Sequence, residues 1–274
     1  MPELPEVETI VREMHEAGLP GEKIVKAEIF WERSLANLSP SAFCQLIVNQ
    51  TIQDIGRRGK FIVFSLGDGT LIVHLRMTGK FLIDNVNIKP SAHERVRLYL
   101  SDGRILRYED QRKFGKWYLT RNPLEVLGKI GIEPLSREFT LKAFKGLLQG
   151  RKRQVKPFLL DQRFVAGIGN IYVDEALWTA KIHPLRSLET LTENEIQALY
   201  KAIIIVLKKG VDNIGTSLGA ARANYYSFSG RRGRNQDSLN VFRCDGLPCP
   251  RCHTTIKKIV VAQRGTHYCP RCQI

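Results

Sequence analysis

The spacing of apolar residues divides the chain into a strand-rich first part and a helical second part. An opening segment carries apolar residues at helical spacing from Val7 to Met14, and short β-branched and apolar runs then dominate residues 23–120. The clearest runs are Lys60–Leu66, Leu71–Leu75 and Val96–Leu100, and an Asp-Gly turn follows the last. Short strands joined by turns predict an antiparallel β-sandwich with a flanking helix over residues 1–130.

Helical periodicity replaces this pattern in the second half. Its clearest segment is Thr192–Gly210, which begins with a Thr-x-x-Glu capping pattern and ends at a glycine. We predict a linker at 131–145, a helical domain at 146–236 and a cysteine-framed module at 237–274. Residues 215–236, rich in Gly, Ser, Arg and Asn, are predicted to form a long loop of the helical domain. The predicted fold class is α+β with several domains.

The net charge of the chain indicates the kind of partner that it binds. The 274 residues are 43% hydrophobic, enough for a sizeable core, and 42 Lys and Arg against 27 Asp and Glu give a net charge of +15. Such an excess indicates a polyanionic partner, nucleic acid in the first place, with a basic membrane-surface protein as the alternative. No apolar run approaches the roughly 20 residues that span a bilayer. The first residues show neither a basic n-region nor a cleavable apolar stretch, so we do not expect secretion.

Four cysteines have the spacing of a metal site. Cys249 and Cys252 form one CxxC pair, Cys269 and Cys272 form another, and sixteen residues separate the pairs. Four thiolates at this spacing can complete a tetrahedron around one structural Zn²⁺, and free reduced thiols are the alternative. The sequence between the pairs predicts a β-hairpin that presents Arg264 at its tip, where a guanidinium can contact phosphate.

The first residues offer a second kind of chemistry. If Met1 is removed, Pro2 carries a free secondary amine, and α-amino groups titrate near pH 8 rather than near the ~10.4 of lysine. Attack of such an amine on an aldehyde-like carbon gives a cationic iminium, and Glu3 and Glu6 lie close by in the sequence. The alternative is an ordinary helix start, with Pro5 in the first turn and Glu6 facing the helix dipole.

Several further residues are candidates for binding phosphate. Gly167–Glu175 predicts a tight turn that leads into a helix capped by Asn170, and a helix N-terminus can bind phosphate. Lys156 lies near a basic run, and Lys60 lies at the beginning of a predicted strand, where it can bind phosphate or assist proton transfer. A plain helix start, a solvated charge run and an edge-strand lysine are the respective alternatives.

Two apolar residues stand in polar, turn-like surroundings. Met77 follows His74 in one such segment, and Phe114 follows Arg112 in another. An apolar side chain can act as a wedge that unstacks a base pair while an arginine fills the vacated space. The alternative is that Met77 and Phe114 are core residues.

These motifs resemble those of one family. The chain is similar to the formamidopyrimidine-DNA glycosylases (Fpg or MutM) of the Fpg/Nei superfamily along nearly its whole length. Pro2–Glu8, Arg57–Lys60, Gly167–Glu175 and Arg264–Pro270 carry the resemblance in order and spacing. It implies a β-sandwich, a helix-two-turns-helix domain and a zinc finger, in a bifunctional DNA glycosylase and abasic-site lyase of base excision repair.

The resemblance also implies roles for single residues. Pro2 would attack C1′ of the damaged nucleotide and form a Schiff base, with Glu3 as the general acid and Glu6 orienting the site. Lys60 would support phosphate binding and the eliminations at the 3′ and 5′ sides. The residues implied or predicted to contact DNA are His74, Met77, Arg112, Phe114, Lys156, Asn170 and Arg264. The expected partner is double-stranded DNA with an oxidised or abasic nucleotide, bound by a monomer in the bacterial cytosol.

One segment departs from the family pattern. The stretch Thr216–Phe228 is several residues longer than the short segment that caps 8-oxoguanine in typical members. We therefore expect the chain to catalyse the same reaction as the family, whereas its preferred damaged base is not predicted. An endonuclease VIII-like enzyme for oxidised pyrimidines remains an alternative, as does a non-catalytic zinc-ribbon DNA-binding protein, although Leu4 and the Met77, Arg112 and Phe114 set favour the Fpg side.

Overall fold

The chain folds into two compact units. The structure is a computed structural model that describes residues 1–85, 88–219 and 224–274. Unit 1 comprises Met1–Lys129 and Ile214–Arg234, and unit 2 comprises Ile130–Asn213 and Asn235–Ile274. Each unit is therefore built from two separate stretches of sequence. None of the helices in the described residues is both long and apolar enough to cross a bilayer.

Unit 1 is an antiparallel β-sandwich with helices beside it, as predicted. One sheet has the order β1-β6-β7-β5 and the other has the order β2-β3-β4-β8. The helices are α1 (Leu4–Glu16), α2 (Pro40–Ile47) and α3 (Leu124–Leu127), and the strands are β1 (Ile24–Ile29), β2 (Ile52–Arg58), β3 (Phe61–Leu66), β4 (Gly69–His74), β5 (Gly79–Asp84), β6 (Glu94–Leu100), β7 (Ile105–Asp110) and β8 (Lys116–Thr120).

Alternating burial along the strands places one core between the sheets. In β3 every second side chain is buried, which is typical of a strand with one face on the core. Trp117 lies at the centre, with the rings of Phe43, Phe81 and Tyr108 at 6.2, 5.6 and 5.3 Å. The apolar face of α1 packs into the same core through Val7, Ile10 and Met14.

Unit 2 is helical and ends in a β-hairpin. The longest helix, α7, begins with the predicted capping box. The helices are α4 (Leu141–Leu148), α5 (Val155–Leu160), α6 (Asn170–Ala180) and α7 (Glu193–Asp212), and the hairpin consists of β9 (Lys257–Val261) and β10 (Arg264–Tyr268). Ala262 and Gln263 both have positive φ, 46° and 60°, and form the two-residue turn next to Arg264.

Two segments belong to other parts of the fold than the predicted domain division gives them. Residues 131–145 belong to unit 2, where the Gly131 and Ile132 amides donate to the carbonyls of Gln162 and Phe164 at 2.8 and 3.0 Å. Ile214–Arg234, predicted as a loop of the helical domain, belongs to unit 1. Residues 220–223 of that loop lie outside the described residues.

Candidate active site

The start of α1 buries two carboxylates beside the N-terminus. Pro2, Glu3 and Glu6 are all buried. The Glu3 amide donates to Glu6 Oε2 at 2.7 Å, which turns the Glu6 carboxylate back toward the beginning of the chain. The segment is therefore a true helix start with Pro5 in its first turn, as the simpler interpretation predicts. A carboxylate that only compensates the helix dipole can remain in solvent. The dipole therefore does not explain why both acids are buried.

Four charged side chains act on the terminal amine. Burial lowers the pKa of the Met1 α-amino group below its usual value, while Glu3 and Glu6 oppose that shift. Lys60 and Arg112 lower the pKa further. Residues from α1, the β2–β3 turn and the segment after β7 therefore meet around one amine. Pro2 is the next residue and is itself buried.

Lys60 is positioned by a tight hairpin. Gly59 has φ 56° and forms with Lys60 the turn between Arg58 and Phe61, and the Lys60 side chain is buried. Arg57 donates to Glu8 Oε2 at 2.9 Å and to the Gly59 carbonyl at 3.0 Å, which fastens the hairpin to α1. Lys60 is therefore not the exposed edge-strand lysine of the alternative interpretation, because its side chain is buried.

His74 supports the turn that leads to Met77. Its Nδ1 accepts from the Arg76 amide at 3.0 Å, and its ring stands edge-on to Phe61 at 4.6 Å. Burial, together with the charges of Arg76 and Lys60, lowers the pKa of His74 to about 3. His74 is thus neutral at pH 7 and contributes no positive charge to a phosphate contact.

The predicted wedge residues lie on two linked loops. Phe114 is 50% exposed, so it is not a core residue, and the Arg112 guanidinium lies 4.7 Å from the centre of its ring. Thr78 Oγ1 donates to Asp110 Oδ1 and accepts from the Arg112 amide at 3.0 Å. These contacts fix the loop before β8 to the loop that carries Met77, which is half-buried.

The segment after α7 packs on the start of α1. The Thr216 amide donates to Glu6 Oε1 at 2.7 Å, and the Tyr225 hydroxyl donates to the Glu6 carbonyl at 3.4 Å. Gly215 has φ +83°, and a Cβ there would lie 2.8 Å from Glu6 Cγ. Only glycine fits this backbone position, because both its conformation and the space exclude a side chain.

In unit 2 the three predicted phosphate-binding residues gather at the hairpin but differ in exposure. Arg264 is exposed at the start of β10. Asn170 Nδ2 donates to the Gly265 carbonyl at 2.8 Å; the cap of α6 is Gly169, so Asn170 is the first helical residue rather than the predicted cap. Lys156 is 0% exposed and donates to Asp174 Oδ1 at 2.6 Å. A buried and paired Lys156 does not fit the predicted phosphate contact.

The four predicted ligand cysteines converge. One ligand atom from each lies within 4.8 Å of the others, with Cys249 and Cys272 sulfurs 3.9 Å apart and Cys252 and Cys269 sulfurs 3.4 Å apart. Among the described residues no His, Asp or Glu joins this group, and four thiolates alone are the ligand set of a structural Zn²⁺. Trp178 Nε1 of α6 donates to Cys249 Sγ at 3.5 Å.

Glu13 is a buried carboxylate that the sequence patterns did not predict. This residue lies on the apolar face of α1, three positions after Ile10 and seven after Glu6, and it is buried. A charged residue within an apolar helical stripe is the signal that would have revealed it, because a buried carboxylate requires partners.

Three family models match the chain in order. They are the formamidopyrimidine-DNA glycosylase N-terminal domain at residues 1–117, the formamidopyrimidine-DNA glycosylase H2TH domain at 130–221, and the zinc finger found in FPG and IleRS at 246–274. The fold and the candidate site thus define the class of protein, a DNA glycosylase with a zinc finger.

Individual relatives agree along the full length. Formamidopyrimidine-DNA glycosylases of Protochlamydia amoebophila and Roseiflexus sp. are 47% and 44% identical to this chain, covering 100% of it and 99% and 100% of those proteins. A complex of Lactococcus lactis Fpg with abasic-site DNA has a TM-score of 0.89 at 40% identity, and a complex of wild-type Lactococcus lactis Fpg with N7-benzyl-Fapy-dG DNA has 0.90 at 40%, each covering 99% of both chains. The chain belongs to the formamidopyrimidine-DNA glycosylase family.

Proposed function

We propose that this chain excises oxidised purines from double-stranded DNA and then cleaves the abasic site, with the Pro2 amine as nucleophile. The observation that carries the proposal is the burial of the chain start among Glu3, Glu6, Lys60 and Arg112. Removal of Met1 would place the terminal amine on Pro2, which is itself buried. Burial of an amine lowers its pKa and so enlarges the neutral fraction, and only the neutral form is nucleophilic. The relatives' names and the abasic and Fapy DNA in their solved complexes support the same reaction.

The first half of the reaction exchanges the base for the amine. The neutral Pro2 nitrogen forms a bond to C1′ of the damaged nucleotide, and the glycosidic bond breaks with its electron pair leaving on the base. The proton that the Pro2 nitrogen then loses balances the charge on the departing base. Glu3 protonates O4′ as the sugar ring opens, which yields a cationic iminium between Pro2 and C1′. Glu6 accepts from the Glu3 and Thr216 amides and thereby holds the acid and the following segment in register.

The second half breaks the DNA strand. The iminium withdraws electrons, so loss of a proton from C2′ expels the 3′ phosphate, and a further elimination expels the 5′ phosphate. Hydrolysis of the iminium then releases the sugar remnant and regenerates the amine, leaving a one-nucleotide gap. The buried Lys60 ammonium binds phosphate here and supports the eliminations.

Access to the base requires extrusion of the nucleotide. We assign the filling of the vacated space to Met77, Arg112 and Phe114, because Phe114 is exposed and Arg112 is stacked on it. Asn170 and Arg264 bind flanking phosphates. Lys156 and His74 support these residues from inside the protein. Lys156 donates to Thr266 in the β9–β10 hairpin, and the His74 ring accepts from the Arg76 amide next to Met77.

Zinc has a structural task in this scheme. Cys249, Cys252, Cys269 and Cys272 bind it, and the bound ion stabilises the module that carries the β9–β10 hairpin and Arg264. We place the enzyme, acting as a monomer, in the bacterial cytosol, where its substrate lies.

Borohydride trapping tests the proposal. The protein is incubated with duplexes that contain 8-oxoguanine, a formamidopyrimidine, an oxidised pyrimidine or an abasic site, with undamaged duplex as control. The expected result is a covalent protein–DNA adduct with the oxidised purines and the abasic site. Adduct with oxidised pyrimidine but not purine would support the endonuclease VIII-like alternative. Adduct with none of the duplexes would leave a non-catalytic DNA-binding protein.

A further inference from the structure

Two buried carboxylates on one face of α1 hold the segment Ile214–Arg234. Glu6 and Glu13 are seven residues apart, which is about two helical turns or ~10.5 Å along the axis. Glu6 accepts from the Thr216 amide at 2.7 Å, and Glu13 accepts from the Ser229 amide at 2.6 Å. The segment is therefore attached to the helix near both of its ends.

At Glu13 the attachment also includes an ion pair. Glu13 Oε1 also accepts from Arg231 Nη2 at 2.7 Å, and Arg231 Nε donates to Ser229 Oγ at 3.1 Å. Glu13 is 3% exposed, and these donors keep the pKa of its carboxyl below the usual value despite burial. Nearby, the rings of Tyr225 and Phe228 are buried in the core of unit 1.

We propose that Glu13 is a positioning residue for base excision: through Ser229 and Arg231 it holds the segment that meets Glu6 at Thr216, and that therefore borders the site of the damaged base, in a fixed relation to Pro2. The inference rests on the proposed function. One rigid helix carries Pro2 and Glu3 at its start and Glu13 three turns further, so a segment fixed to Glu13 is fixed relative to the nucleophile. Glu13 itself contacts neither the substrate nor the reacting atoms.

This role separates the two halves of the reaction. Base removal requires the base to be held while C1′ is attacked, and small misplacements of a reactant lower rates strongly. A preformed abasic site has no base to hold, so its cleavage depends on Pro2 and Lys60 but not on the segment. Loss of the Glu13 contact should therefore slow base removal much more than strand cleavage at an abasic site.

Glu13→Gln is the informative substitution. Glutamine keeps the size and one acceptor for the Ser229 amide but removes the charge that pairs with Arg231. Glu32→Gln is the matched control, because Glu32 is an exposed glutamate of the same unit. Arg231→Met removes the partner at a position that is 57% exposed, where a failure to fold is not expected.

The test compares single-turnover release of 8-oxoguanine with cleavage of a preformed abasic duplex. We expect Glu13→Gln and Arg231→Met to lower the rate of base release about tenfold, with abasic cleavage within about twofold of wild type. The double variant should be no slower than the slower single variant, and Glu32→Gln should match wild type. Equal losses in both assays, or no loss in either, would overturn the inference. A wild-type protein inactive in both assays would overturn the proposed function instead.

Discussion

Helices α1 and α6 use buried carboxylates in different surroundings. In α6, Glu175 accepts from the amides of Asn240, Val241 and Phe242 at 2.9–3.0 Å and from Asn240 Nδ2 at 2.8 Å. Its neighbour Asp174 binds Lys156 and the His267 amide. In α1, Glu3 and Glu6 act on a terminal amine whose surroundings also include Lys60.

The partners of these carboxylates distinguish a stabilising role in α6 from a chemical role in α1. The partners of Glu175 are amide N–H groups that cannot titrate, so this carboxylate can only hold chain segments together. Around the amine in unit 1, opposite charges share one buried space with a group that can lose its proton. Burial of an acid is therefore not a sign of catalysis by itself, because the hydrogen-bond partners of the buried Glu175 cannot exchange a proton with it. The following substitutions test this contrast.

Glu3→Gln should give the largest effect. Loss of the general acid is expected to slow base release by a factor of about 10²–10⁴, since glutamine cannot donate a proton to O4′. Single-turnover base release measures this, and circular dichroism checks that the fold is kept. A loss of less than about tenfold would mean that Glu3 is not the acid.

Glu175→Gln should damage stability without damaging chemistry. Glutamine replaces one acceptor oxygen by an NH₂ that faces N–H donors, which we expect to cost about 3 kcal/mol of unfolding free energy. Urea unfolding of the zinc-loaded protein measures this, with the exposed Glu189→Gln as control. Base release per folded molecule should stay unchanged, and a selective loss of activity at full stability would remove the contrast between the two helices.

His74→Gln should change the pH dependence of stability. The folded pKa of His74 is lowered to about 3, so its contribution is complete above the unfolded value near 6.5 and declines as the pH falls toward 3. Between about pH 8 and pH 5, wild type should lose about 2 kcal/mol more unfolding free energy than His74→Gln. The exposed His93→Gln should behave as wild type; identical pH profiles for wild type and His74→Gln would contradict a neutral, buried His74.

Trp178→Phe should loosen the zinc with the smallest effect of the four. Phenylalanine keeps the apolar contact but removes the N–H donor to Cys249 Sγ, and loss of such a contact commonly costs about tenfold in metal affinity. Zinc transfer to a coloured chelator measures the release rate, with Trp31→Phe in unit 1 as control. Equal release from Trp178→Phe and wild type would show that the 3.5 Å contact does not matter to the metal.

Local patterns allowed much of this molecule to be predicted. The cysteine spacing predicted the zinc ligands, the Asp-Gly turn predicted the β6–β7 hairpin, and the capping pattern predicted α7. Each of these signals lies within a few residues of the structure that it specifies. The polar surroundings of Phe114 left a wedge and a core residue equally open, and its 50% exposure now decides against the core.

Contacts between residues far apart in sequence escaped prediction. Lys156 read as a surface cation because its partner Thr266 lies 110 positions away. The segment after α7 returns to α1 through Thr216 and Ser229, whose acceptors lie more than 200 positions earlier. Nothing in the local pattern of a Gly- and Ser-rich stretch specifies the helix against which it packs.

The most direct test of the central claim is the site of covalent attachment. The borohydride-trapped adduct with an abasic duplex is digested and the modified residue is found by mass spectrometry, for protein that begins at Pro2 and for protein that carries residues before it. Attachment at the Pro2 nitrogen in the first form, with no adduct but retained DNA binding in the second, is the predicted result. Attachment at Lys60 or another lysine, or an adduct in the blocked form, would contradict the assignment of Pro2.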